Sequence, residues 1–507
     1  MLSDNQESCT STNISPQPPL ITAGDIFPGQ FEIDMLPDEI FLEIFVFYVT
    51  YIEESQTGDA RYMRKYAWRT LARVCRRWRN IACGSPRRLN LRIFCSGSLG
   101  IPLRKKLEFW PPFPIALLVG NYNKLAKDNI LATLEYHDRV CDIDIWNMSS
   151  SLWKKVLPLM QKPFPVLTNL CLSHLGLSHV DDSALLSVVP ADLFLGGSAP
   201  QLRTLSLAGI PFPGLPKLLL STIHLTQLEL HEIPYSGYIA PKAMVTCISR
   251  LTRLESLKID LQAHEPRPEW GRSTPSSTCA LLPSLTRFRF KGVSGYLEDI
   301  VGSIDAPLLN ELEISFFHQP TGLFDTPRLT QFIDRVPKLK TCNEAKMCFG
   351  SYLASVKVSS GLKTITNPSL LLESYRGQPH FELPPLVHLC NSSFLQNFTP
   401  TVERLTIDGS YFIISPENDP QCSDPDLWWE ILQPFTAVKD LYLRPQIGPC
   451  IALLMQRLVE ESVIDPLPVL QNIVLEQRRP SKLVLEGIRQ FVAARQLAGH
   501  PIHFSLG

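Results

Sequence analysis

The hexapeptide LTQLEL, Leu225 to Leu230, carries apolar side chains at its first, fourth and sixth positions and polar ones between. Its second half alternates as a strand does when one face is buried. The pattern recurs as VCDIDI from Val140, LTNLCL from Leu167, LRTLSL from Leu202, LESLKI from Leu254, LTRFRF from Leu285 and LNELEI from Leu309. Three later copies begin at Val402, Val438 and Leu470. One copy means little, since roughly one window in thirty meets three apolar positions by chance. The spacing is the signal: starts at 140, 167, 202, 225, 254, 285 and 309 lie 27, 35, 23, 29, 31 and 24 residues apart. Such a period marks one small unit repeated and stacked.

Between the copies lie helix-like segments opening on Pro, Gly or Asp, such as PGLPKLLLSTI, PKAMVTCISRL, YLEDIVGSI, DLWWEILQPF and CIALLMQRLVEESVI. Strand then helix, repeated, predicts the α/β class: parallel strands stacked in a solenoid with helices outside. The period resembles that of leucine-rich repeats. Where that repeat commonly has Asn, this chain has Leu175, Ile210, Ile233, Val293 and Phe317, so an irregular solenoid is expected. From about Leu339 to Thr401 no clear register survives, although VPKLKTCNEAKMCF reads as a degenerate turn. An excess of proline, 43 residues against 26 glycines, suits short elements joined by stiff corners.

A different pattern precedes the repeat. In MLPDEIFLEIF, Met35 to Phe45, Pro37 suits a first helical turn, and Asp38 and Glu39 sit where the helix dipole favours anions. Ile40, Phe41, Ile44, Phe45 and Tyr48 form one apolar face by their spacing, and Leu42, Val46 and Phe47 extend it round the cylinder. Thr50 to Asp59 reads as a loop, followed by a second helix over Ala67–Ala82. There Trp68, Leu71, Val74, Cys75, Trp78 and Ile81 share a face opposite five arginines. Charge is segregated: Phe31–Ala60 holds eight acids and no Lys or Arg, and Arg61–Arg92 holds ten Arg, one Lys and no acid. The two helices are expected to pack face to face.

LPDEIFLEIF followed by LARVCRRWRNIA resembles the F-box, the helical module by which substrate receptors dock on the Skp-type adaptor of a Skp, cullin and F-box ubiquitin ligase. The stretch Phe47–Tyr66 is longer than in the commonest F-boxes. The resemblance implies that Leu36, Pro37, Ile40, Ile44 and Val74 meet the adaptor, and that Leu71 and Trp78 close the module's own core. With YAW at Tyr66, FPVLTNL at Phe164, LPSLTRFRF at Leu282 and APLLNELEI at Ala306, the chain resembles the F-box and leucine-rich-repeat proteins of mushroom-forming fungi. It implies a non-catalytic receptor in the cytoplasm or nucleus that presents a protein for ubiquitination. The other reading is a repeat scaffold with a vestigial F-box that binds partners without a ligase. The expected divisions are a disordered tail over 1–30, an F-box over 31–84 and the repeats over 85–500.

The bulk numbers exclude other classes. A net charge of −1 speaks against wholesale nucleic-acid binding, and the tryptophans of the Arg-rich helix lie on its apolar face, away from any phosphate contact. Thirteen cysteines without a Cys-x-x-Cys pair read as reduced thiols. The first twenty residues lack the basic and apolar regions of a signal peptide, and no apolar run reaches a membrane span. No phosphate loop, nucleophile elbow or metal-binding helix motif occurs, so neither cofactor nor metal is implied. Alternation along the strands directs the polar residues to a surface for a protein partner. The candidates there are Arg287, Arg289 and Lys291, with Gln227, Glu229 and His231, Ser256, Lys258 and Asp260, and Glu311, Glu313 and Ser315 on the other strands.

Overall fold

The computed structural model describes residues 33–54, 70–95, 104–174, 194–262, 279–317, 326–375, 387–411 and 424–507, with short gaps inside several of these spans. The expected tail over 1–30, with Trp68 and the YAW segment, lies outside them. The chain divides into two compact units, one ending at Leu91 and the other starting at Arg92.

The first unit holds a 3₁₀ turn, Ile33–Met35, then helix α1, Asp38–Glu54, and helix α2, Arg76–Gly84. α1 starts on Asp38 and Glu39, as the dipole argument requires. It continues through Thr50 to Glu54, where the sequence had suggested a loop. The single helix expected over Ala67–Ala82 is broken: residues 70–74 are helical, Cys75 is extended (φ −152°, ψ 174°), and α2 begins after it.

The second unit is built on a parallel sheet. Its strands are β1 Ile93–Cys95, β2 Ile115–Val119, β3 Val140–Met148, β4 Asn169–His174, β5 Thr204–Ala208, β6 Gln227–Ile233 and β7 Ser256–Leu261. Then come β8 Ala280–Leu281, β9 Arg287–Gly292, β10 Ile304–Asp305, β11 Glu311–Phe317, β12 Glu344–Gly350, β13 Leu353–Ser359 and β14 Ser369–Tyr375. The last are β15 Arg404–Tyr411, β16 Asp440–Leu443, β17 Asn472–Leu475 and β18 His503–Leu506. Sixteen of them form one sheet in the order β1-β2-β3-β4-β5-β6-β7-β9-β11-β14-β13-β12-β15-β16-β17-β18, and β8 pairs with β10 separately.

Each hexapeptide runs into a strand, and from Leu167 onward the strand begins two residues after the first apolar position. That first residue is a core plug: Leu167, Leu202, Leu225, Leu254, Leu285 and Leu309 are fully buried. The carbonyl just before several of these strands then accepts two N–H groups from the next repeat. Arg203 O takes those of Thr226 and Gln227 at 2.8 and 3.0 Å; Thr226, Glu255 and Thr286 repeat the arrangement. Helices Pro241–Ile248, Ser294–Val301, Pro425–Leu432 and Gly448–Glu460 occupy the segments read as helical, and a five-residue helix, Leu215–Leu219, occupies PGLPKLLLSTI. The α/β repeat architecture is therefore as expected.

One region departs from it. β13 runs antiparallel to both β12 and β14, and β14, not β12, lies beside β11. Repeat register is lost here because β12, β13 and β14 build a three-stranded meander, which needs no crossover helix between strands. VPKLKTCNEAKMCF forms a 3₁₀ turn, Pro337–Thr341, and most of β12.

Candidate docking surfaces

α1 carries two apolar stripes where the sequence suggested one broad face. Phe41 and Phe45 are fully buried, and the Trp78 ring packs on both, at centroid distances of 5.6 and 4.8 Å. Leu71 is buried beside this cluster's helices, as expected of a core residue. The second stripe points outward: Ile40 is 44% exposed, Ile44 45% and Phe47 75%. Helical spacing separates the two, since residues 40, 44 and 47 follow one line and 41, 45 and 49 another. Pro37 is exposed and Leu36 half-buried at the head of the outward line.

Cys75 sets the second contribution. Its sulfur accepts the Trp78 N–H at 3.4 Å as the cap of α2, and Arg79 donates to the orphan carbonyl of Ala72 at 2.9 Å. This break turns Trp78 inward. Val74, which an unbroken helix had grouped with Trp78, is instead 57% exposed. All five residues expected to meet the adaptor are thus wholly or partly open to solvent. Phe47 and Met35 are also exposed and were not singled out from sequence; Phe47 was findable, because it continues the Ile40–Ile44 line.

The segregated charges meet as foreseen. Arg77 binds the Asp38 carboxylate at 2.6 Å, donates to Leu36 O at 2.6 Å and lies 4.8 Å from the Phe41 ring centroid. Arg88 pairs with Glu43. The bond from Arg77 to Leu36 O fixes the backbone at the head of the outward stripe.

The second surface is the polar face of the sheet. Register aligns Glu229, Lys258, Arg289, Glu313, Leu371, Lys357 and Lys346 in one row across β6, β7, β9, β11, β14, β13 and β12. Neighbouring strands neutralise most of its charge. Arg289 binds Glu311 at 2.6 Å and Glu313 at 3.1 Å, and Lys291 lies 3.6 Å from Asp260. Arg287 is exposed and Lys258 half-buried. Glu229 is held from within: Gln227 lies at 2.6 Å and His231 at 3.1 Å. The His231 hydrogen bond, with that from Gln227, outweighs partial burial and holds this carboxyl at about 2. Ser256, Asp260 and Ser315, expected on the exposed row, are buried, and burial pushes the Asp260 carboxyl up.

Among the described residues no group of three or more His, Cys, Asp or Glu is arranged to hold a metal, and every cysteine is a free thiol. No helix among them is long and apolar enough to cross a membrane.

Residues 33–92 match the F-box-like family and form an F-box-like domain. The chain is similar to the leucine-rich repeat-containing protein LegL7 from Legionella pneumophila, at 11% identity over 79% of this chain and 97% of that one. The TM-score is 0.24, and the likeness adds nothing to what the strand order establishes. No curated protein matches the chain.

Proposed function

We propose that the chain is a substrate-receptor subunit of a Skp, cullin and F-box type ubiquitin ligase. Its outward stripe, Leu36, Pro37, Ile40, Ile44 and Val74, docks on a Skp-type adaptor and through it on a cullin, and the polar sheet face holds a protein for ubiquitination. The receptor itself performs no chemistry and works in the cytoplasm or nucleus. One observation carries this reading: an F-box-like domain keeps two isoleucines one helical turn apart in solvent, beside a core that is already filled by Phe41, Phe45 and Trp78. Exposed apolar side chains in line are costly to leave bare and suit a partner's groove.

The test is co-precipitation of the full chain from cells, read for adaptor and cullin. Ile40→Ala with Ile44→Ala is expected to weaken adaptor capture at least about tenfold, as truncating two buried contact residues does. Its melting temperature stays unchanged, because neither side chain contributes to the core. Undiminished capture ends the proposal. Capture of adaptor without cullin turns the protein into a scaffold with a vestigial F-box.

A further inference from the structure

Most cations of the polar face form an ion pair with an acid across the sheet. Besides Arg289 and Lys291, Arg92 pairs with Asp142, Lys346 with Asp408, Arg404 with Glu344 and Arg444 with Glu476. Lys258, Arg287 and Lys357 form no ion pair among the described residues. Lys357 is exposed, and its register neighbours are Lys346 and Leu371, with Glu344 and Glu373 two positions along those strands. A like charge directly opposite gives Lys357 no partner, and Lys346 is itself held by Asp408. Leu371 is also out of place, a half-exposed leucine in a row that is otherwise charged.

From β7 to β12 the row reads Lys258, then Arg289 bound to Glu313, Leu371, Lys357, and Lys346 bound to Asp408, so the row's cations without an ion pair among the described residues are Lys258 and Lys357. Lys357 faces Lys346 because the meander reverses β13. Strands lie about 4.8 Å apart, so Lys258 and Lys357, four strands apart, are separated by about 19 Å. An extended chain at about 3.3 Å per residue spans that distance in about six residues.

We propose that this row binds an extended acidic segment of the partner protein, with acids about six positions apart and an apolar residue over Leu371, about two positions from the acid at Lys357. The inference rests on the receptor reading above and gives its substrate class. The two acids give Lys258 and Lys357 ion-pair partners, and the apolar residue covers the leucine.

The probe is a fluorescent Gly/Ser peptide of about ten residues with Glu-Glu near each end and Leu between, titrated against the full chain by anisotropy. Two control peptides carry Lys for Glu, or the same acids all adjacent. The wild-type chain is expected to bind the spaced peptide best, less tightly as salt rises. Lys357→Glu weakens it at least about tenfold, Lys357→Ser weakens it less, and both melt like wild type. No binding by wild type, equal binding of the clustered-acid isomer, or indifference to Lys357→Glu overturns the proposal. Adaptor capture, run in parallel, separates the two readings. Capture without peptide binding sinks only this site, and peptide binding without capture sinks only the ligase assignment.

Discussion

Trp78 and Phe45 meet at 4.8 Å between ring centroids with their planes 57° apart, and this contact joins two helices whose sequences are oppositely charged. It is an apolar contact between oppositely charged segments. The ion pairs around it, Arg77–Asp38 and Arg88–Glu43, are largely solvent-exposed and contribute only about 0–1 kcal/mol each. The rings outweigh them.

Trp78→Ala therefore acts on folding, where the Ile40 and Ile44 variants act on binding. Removing the ring is expected to cost about 3 kcal/mol, the low end for an aromatic truncation because Trp78 is only partly buried. Hydrogen exchange over α1 should accelerate while exchange in the strands of the repeat unit stays at its wild-type rate. Protection of α1 at the wild-type level would remove Trp78 from the core.

The Glu229 carboxyl makes a pH prediction with a definite sign. Its folded pKa, about 2, lies below the ordinary carboxylate range, so it stabilises the fold above that range, and the contribution disappears as pH falls toward 2. Glu229→Gln should lower stability at neutral pH and flatten part of the acid limb in that window. An acid limb identical to wild type would mean that the hydrogen bonds from His231 and Gln227 do not favour the ionised form.

Gly487 lets two terminal helices approach closely. A Cβ built there falls 2.8 Å from the Ala452 carbonyl oxygen and 3.2 Å from the Ala452 Cβ, linking Lys482–Leu497 to Gly448–Glu460. Alanine improves helix propensity by about 1 kcal/mol, but a backbone oxygen cannot rotate away as a side chain can. Gly487→Ala is expected to lower the melting temperature in spite of the propensity gain. A rise would show that the helices can separate at little cost.

The repeat was readable because three apolar positions per unit serve one purpose, plugging and facing the same core, and leave the same mark each time. Strand direction leaves no such mark. LASVKVS in β13 alternates as any strand does, so its antiparallel course and the meeting of Lys357 with Lys346 were invisible. α1 was legible as a helix but not as two stripes, since it is apolar almost all round, and only the burial of Phe41 and Phe45 identifies Ile40, Ile44 and Phe47 as the outward line. Likewise Val74 and Trp78 share a face in an ideal helix, and nothing in the sequence announces that Cys75 will break it. Charge compensation depends on register between strands about 20–60 residues apart, which periodicity alone does not give.

That register decides the meaning of Arg287, Arg289 and Lys291, three cations on one side of β9. Alone they suggest a site for an acidic partner. In the sheet, Arg289 is shared by Glu311 and Glu313, and Lys291 faces Asp260, so the strand balances its neighbours. Arg289→Glu sets three acids together, at positions 289, 311 and 313, and like charges on neighbouring strands cost several tenths of a kcal/mol per pair. Losing two pairs and gaining two repulsions should lower the melting temperature of the repeat unit by a few degrees, more at low salt than at high. Arg287→Glu, whose side chain is exposed and outside these pairs, should do less. Adding Glu313→Arg to Arg289→Glu restores an opposite pair across β9 and β11 and should recover part of the loss, which a general intolerance of mutation at Arg289 would not permit. If the single reversal leaves the melting temperature unchanged at low salt, the pairs carry no stability, and Arg289 returns to the pool of cations available to a partner.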